Sequence, residues 1–173
     1  MKNEIIWVKR KFKLDLPVEM FPIVVERLRG VPARLEEKIA PLPDDILRHK
    51  EGNAWSILEV IGHLGDVEAL WHGRIDDYLE NLDELRPANI TNTVTNKADH
   101  NSASVEELLG AFRKSREHLV NRFDEMTNKH MKMSAYHRRL DTQMRMIDHA
   151  LFIAEHDDHH LSKITDMINE YSR

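Results

Sequence analysis

A chain of 173 residues is long enough to bury a proper hydrophobic core and short enough to read as one domain. Its 41% hydrophobic and 32% charged content places it among globular proteins with a heavily charged surface, and a net charge of −5 without a sustained basic face argues against nucleic acid as partner. The absence of cysteine excludes disulfides, thiolate zinc sites and a thiol nucleophile, so any sulfur chemistry must be brought by a substrate or cosubstrate.

Residues 1–16 read as an extended arm that packs on the body through Trp7, Phe12 and Leu14, and 17–173 as a single helical domain. Ile5-Ile6-Trp7-Val8 is too short for a signal peptide and runs into Lys9-Arg10-Lys11, and no segment approaches the length of a membrane span; the cytoplasm is the expected location. From Pro17 to about Ile39 the apolar spacing is helical, with Gly30 and Pro32 predicting one interrupted helix or two short ones. Pro41 to Asn53 reads as a connecting loop. Ser56-Ile57-Leu58-Glu59 is a capping box that opens a helix to about Leu82, with an inward stripe including Val60, His63, Leu64, Trp71 and Tyr78. The polar stretch from about Leu85 to Ala103 is a long linker, and such a crossover lets consecutive helices of a bundle run parallel. Ser104-Val105-Glu106-Glu107 is a second capping box, opening a helix to about Met126 whose charged residues Arg113, Lys114 and Glu117 read as a solvated face. Asn128 to Asp141 reads as a second loop, and Asp141 or Thr142 as the cap of a final helix running to about Glu170.

That final helix carries the chemistry. At about 100° per residue, His156 and His160 project about 40° apart on the stripe that also holds Phe152, Ile153, Ile164 and Met167, while Asp158 points towards solvent. Two imidazoles one turn apart can grip one transition metal, and His63 on the inner face of the second helix supplies a third. Imidazoles prefer zinc, nickel, iron or copper to magnesium or calcium, and three protein ligands leave coordination positions open for a substrate. His159 stands beside His160 as a competing donor further off the stripe.

At Trp55-Ser56-Ile57-Leu58-Glu59-Val60-Ile61-Gly62-His63-Leu64 with Asp66, and at Ala154-Glu155-His156-Asp157-Asp158-His159-His160-Leu161 followed by Ile164, the chain resembles the DinB/YfiT-like superfamily of metal-binding four-helix bundles. The resemblance implies an all-α, up-down-down-up four-helix bundle with the long crossover between its second and third helices. It implies a divalent metal, zinc or nickel first and iron next, held by His63, His156 and His160. Relatives include bacillithiol- and mycothiol-dependent transferases, a mycothiol-dependent isomerase and proteins labelled metal-dependent hydrolases.

Asp66 and His149 are the candidates for proton transfer or for orienting a ligand, and Glu59 is read as a cap. His100 from one long loop, and His137 with the pair Arg138-Arg139 from the other, Arg138 first, are candidates for binding an anionic substrate over the open metal face, such as a carboxylate through an arginine fork. The leading expectation is transfer of a low-molecular-weight thiol to an electrophilic small molecule. The alternatives are a hydrolase, with hydroxide on the metal as nucleophile, and a non-catalytic metal-binding stress-related bundle. A small-molecule substrate is the expected partner, with no nucleic acid and no membrane, and a homodimer is compatible with a bundle of this size.

Overall fold

The computed structural model describes residues 6–171, so the first five residues of the N-terminal arm lie outside the described residues. Beyond them a 3-10 turn at Trp7–Lys9 seats Trp7 and Phe12 against Phe152, with ring centroids 5.0 Å apart in both pairs.

Four rods make the bundle. The first is α1 (Phe21–Arg29) followed by α2 (Val31–Ile39), with Gly30 closing one and a proline opening the next, where its missing N–H costs nothing. The stretch from Pro41 to Asn53 is not all loop: Pro43 precedes α3 (Asp44–Arg48), whose first-turn acids Asp44 and Asp45 favour the positive end of the helix dipole. The second rod is α4 (Ile57–Asp66) and α5 (Glu68–Leu79), parted only at Val67, whose backbone stays in the right-handed helical region. Its Ser56–Glu59 capping box is formed in both directions, with Glu59 also bound to Lys50 at 2.6 Å. The crossover holds α6 (Thr93–Lys97) and a 3-10 turn at His100–Ser102. The third rod is α7 (Val105–Asp124), again opened by its capping box.

The expected second loop folds into α8 (Asn128–Met131) and a hairpin of β1 (Ser134–His137) and β2 (Thr142–Arg145), paired antiparallel from Ser134↔Arg145 to His137↔Thr142. Its alternation is short, with Ala135, His137 and Met144 inward, and the turn is made by Asp141 at φ 51° rather than by glycine. The fourth rod, α9 (Met146–Tyr171), therefore begins at Met146 and not at Asp141 or Thr142.

Side-chain pairings fix the direction of each rod. Arg27 meets Asp158 and Lys38 meets Thr165, so the first and fourth rods are parallel. Glu68 meets Arg116 and Asp76 meets Arg122, so the second and third are parallel too. Glu36 with Arg113 and Asp124 with Arg29 run the first against the third, and His63 near His160 with Tyr78 bound to the Met144 carbonyl runs the second against the fourth. The order is up, down, down, up, and the crossover is what permits it.

Residues such as Leu28, Ile75, Leu119 and Ile153 fill one half of the interior, and Leu35, Ile61, Phe112 and Ile164 the other. Each such side chain contributes about 1.5–3 kcal/mol by leaving water. Between the two halves lies a charged layer: buried Arg116 binds Glu68 at 2.6 Å and Asp157 at 2.5 Å. Despite burial, the two carboxylates hold Arg116 above its ordinary pKa. Burial pushes Glu68 up to about 7 against the pull of that arginine. Asp158 does not point to open solvent; it is half-buried and binds Arg27 and Arg34. No helix among the described residues is long and apolar enough to cross a membrane.

Candidate metal centre

His63 is carried by α4 one turn before its end, and His156 and His160 occupy successive turns of α9, which runs the other way beside it. The three rings meet. Centroids are 5.4 Å apart for His63 and His156, 4.8 Å for His63 and His160, and 4.5 Å for the α9 pair. One ring nitrogen from each lies within 4.8 Å of the others, and Nε2 of His156 is 3.2 Å from Nε2 of His160. Zinc–nitrogen bonds of about 2.0–2.1 Å put tetrahedral donors roughly 3.3 Å apart, so that spacing suits one shared ion.

The tautomer of His63 is fixed by a chain of partners. Thr95 on α6 donates its single hydroxyl proton to Oδ2 of Asp66 at 2.7 Å, so its oxygen is free only to accept. Nδ1 of His63, 3.1 Å from that oxygen, must therefore carry the hydrogen, which leaves the Nε2 lone pair for a metal. Burial, then the neighbouring His156, lowers the pKa of His63 to about 3, keeping the ring neutral as a ligand must be. Burial likewise holds His160 well below its ordinary value. Nδ1 of His156 and of His160 lacks a hydrogen-bond partner among the described residues; the Asp157 carboxylate stands 3.9 Å from that of His156. Buried imidazoles left so incompletely satisfied have a physical reason to exist if their other nitrogens bind an ion.

The cluster opens into a cavity of about 640 Å³. Its walls are aromatic: Trp55 lies 4.8 Å from His63, Trp71 5.4 Å from His156, and Trp7 of the arm 5.1 Å from His156. Trp7 also stacks on His159, which lines the cavity but is not in the three-nitrogen cluster.

The other residues singled out from sequence fare differently. Asp66 lines the cavity, with Oδ2 engaged by Thr95 and, at 2.9 Å, by Nε2 of His100. His100 does not line it; its ring lies beneath α4 against Gly62, where any side chain would overlap the imidazole, and its work is to hold Asp66. His149 is fully buried away from the cavity, between Trp71 and Tyr78, and is not positioned to relay protons there. Arg138 points outward, its side chain 76% exposed and bound to Glu84, so it cannot reach a substrate in the cavity. Its neighbour Arg139 does line the cavity, together with His137, Arg74 and Lys163. Thr95, Arg74, Trp55 and Trp7 were not read as site residues. Arg74 was recognisable in principle, being a charged residue one turn from Trp71 and Tyr78 on an apolar stripe.

A four-helix bundle with three convergent imidazoles on its second and fourth rods defines a class of small helical domain built around one polar centre. The chain belongs to the DinB superfamily, whose family model matches residues 27–164. Its fold is similar to that of YfiT from Bacillus subtilis, described as a probable metal-dependent hydrolase with an unusual four-helix bundle topology, at 19% identity over 94% of each chain with a TM-score of 0.80. No curated protein sequence gives a significant match.

Proposed function

We propose that the protein is a metal-dependent enzyme of the cytoplasm in which His63, His156 and His160 hold one divalent transition-metal ion, zinc or nickel first, and that it transfers a low-molecular-weight thiol to an electrophilic small molecule. When bound, the ion supplies the positive charge that keeps a thiol deprotonated at neutral pH. The S–H proton would pass to solvent as the thiol binds, and the sulfur would attack an electrophilic carbon, a carbon–sulfur bond forming as the bond to the leaving group breaks and that group departs with its electron pair. The chain's own part is to bind and orient. His63 is held by Thr95 and Asp66, Trp55, Trp7 and Trp71 exclude water from the reacting centre, and the aromatic walls take an apolar substrate.

One observation carries the choice of reaction. Asp66 is the only carboxylate lining the cavity among the described residues, and its Oδ2 already accepts two hydrogen bonds. Water and a thiol must each lose a proton to become the nucleophile. A thiol is far the stronger acid, with a pKa of about 8.5 against about 15.7 for water, so beside a cation its proton can leave to solvent without the dedicated base that helps attack by water. A second reading, hydrolysis, is favoured by the description of YfiT as a probable metal-dependent hydrolase.

The test is thiol consumption by zinc- or nickel-loaded protein offered cysteine-derived thiols and an activated aryl halide. Metal-dependent loss of thiol that disappears in His156→Ala supports the transferase. Turnover of esters or amides with no thiol present would replace it with the hydrolase. Neither activity, with metal raising only the melting temperature, would leave a binding bundle.

A further inference from the structure

The cavity continues from the histidine cluster towards the β1–β2 hairpin, where the polar side chains that line it are Arg74, Arg139 and His137. Arg74 is 2% exposed, yet it makes no ion pair with any carboxylate among the described residues. Its Nε donates to the Arg86 carbonyl at 3.1 Å and its guanidinium lies 5.8 Å from the Trp71 ring. The nearby carboxylate of Asp77 is taken through both oxygens by Arg86. Burial drives the Arg74 pKa down to about 10, the mark of a charge without a compensating partner. Arg139 stands over Phe152 at 5.6 Å, donating a hydrogen bond to the Val8 carbonyl and making no ion pair among the described residues.

His137 completes the set. The Leu140 N–H donates to its Nδ1 at 3.3 Å, so in the neutral ring the hydrogen is on Nε2. That Nε2–H is buried and has no acceptor among the described residues, although the ring lines the cavity 5.6 Å from Phe152. Burial, then Arg74 and Arg139, lowers its pKa to about 4, so it remains a neutral donor. Two guanidiniums and one buried N–H that find no carboxylate or acceptor among the described residues, facing one cavity, are expensive to maintain unless something negative joins them.

We infer that the hairpin end of the cavity is an oxyanion subsite, in which Arg74, Arg139 and the Nε2–H of His137 hold the carboxylate or phosphate of the substrate while its apolar body lies along Trp71 and Phe152 towards the histidines. The inference rests on the cavity being the substrate pocket and narrows the substrate to an anionic small molecule with an apolar spacer. Guanidinium forks take carboxylate and phosphate alike, and affinity must separate the two.

Calorimetric titration of the zinc-loaded protein with phenylacetate, phenyl phosphate and phenylacetamide reads this directly. One anion should bind at least tenfold more tightly than the neutral amide, and the tighter anion names the group. Arg139→Gln should weaken that anion at least tenfold, with zinc content and amide affinity unchanged; Arg74→Gln should do the same if it folds. Equal binding of anion and amide, no anion binding at millimolar concentration, or an Arg139→Gln protein that binds the anion as wild type would overturn the subsite. Since heat is measured and not turnover, anion binding without thiol transfer would sink the reaction and leave the subsite standing. Equally fast transfer to neutral electrophiles with no anion binding would do the reverse.

Discussion

Thr95→Val isolates the contribution of a residue that touches no metal. The substitution keeps the shape of a buried side chain and deletes the one oxygen that both accepts from Nδ1 of His63 and donates to Asp66. Two costs follow. The Nδ1–H of His63 loses its acceptor in a buried setting, about 1–3 kcal/mol, and the tautomer that offers Nε2 to the metal is no longer favoured. Outer partners of metal-binding histidines are typically worth about 10–100-fold in affinity, or roughly 1.4–2.8 kcal/mol. Competition with a chromophoric chelator should therefore show zinc held about 10–100-fold more weakly by Thr95→Val, and close to wild type by Thr95→Ser, which keeps the oxygen. If valine and serine variants both bind zinc within twofold of wild type, the hydrogen-bond chain does not govern the tautomer and the reasoning fails.

Other consequences are open to simpler measurements. Gly62→Ala should push the His100 ring off Asp66 and cost about 1–3 kcal/mol in urea unfolding, while Gly65→Ala, with open space at its Cβ, should be neutral or stabilising by up to about 1 kcal/mol. Arg116→Met leaves Glu68 and Asp157 buried without their cation and should cost about 3–5 kcal/mol, part of which E68Q with D157N recovers. The metal-free protein should lose stability as pH falls from about 6.5 to 5. His63, His137 and His160 stay neutral in the fold but take protons when unfolded, so the unfolded chain binds more protons there, at about 1.4 kcal/mol per pH unit for each net proton. Glu68, held up near 7, works in the opposite sense and reduces the slope without reversing it; a flat or rising curve from pH 6.5 down to 5 would contradict these assignments.

Much of the scaffold was legible because its signals are local. Both capping boxes are formed as written in the sequence, and the glycine and proline between α1 and α2 mark a real break. The three histidines were legible for the same reason: helical spacing alone assigns His63, His156 and His160 to inward faces, and only their mutual distance needed the fold. What stayed hidden depends on partners distant in sequence. Arg74, Glu68 and Arg116 are all buried, and a charged side chain on a helix carries no local signal sufficient to separate a buried ion from a solvated one, since burial is decided by partners on other rods. That only Arg139 of the pair Arg138-Arg139 faces the cavity has a different cause. The 3-10 turn Arg138–Leu140 at the tip of an unrecognised hairpin decides which guanidinium faces the cavity, and neither helical nor strand periodicity reads across such a turn. Trp7 was read as packing, which it is, but what it packs on includes His156 and His159.

Metal content of purified protein reconstituted with zinc, measured by elemental analysis across single alanine variants, tests the shared-ion centre most directly. Wild type and His159→Ala should each hold about one ion per chain, and His63→Ala, His156→Ala and His160→Ala should hold far less while keeping their helical circular dichroism. Full occupancy in the folded His156→Ala and His160→Ala proteins, or its loss in His159→Ala alone, would contradict a single ion held between α4 and α9 by these three rings.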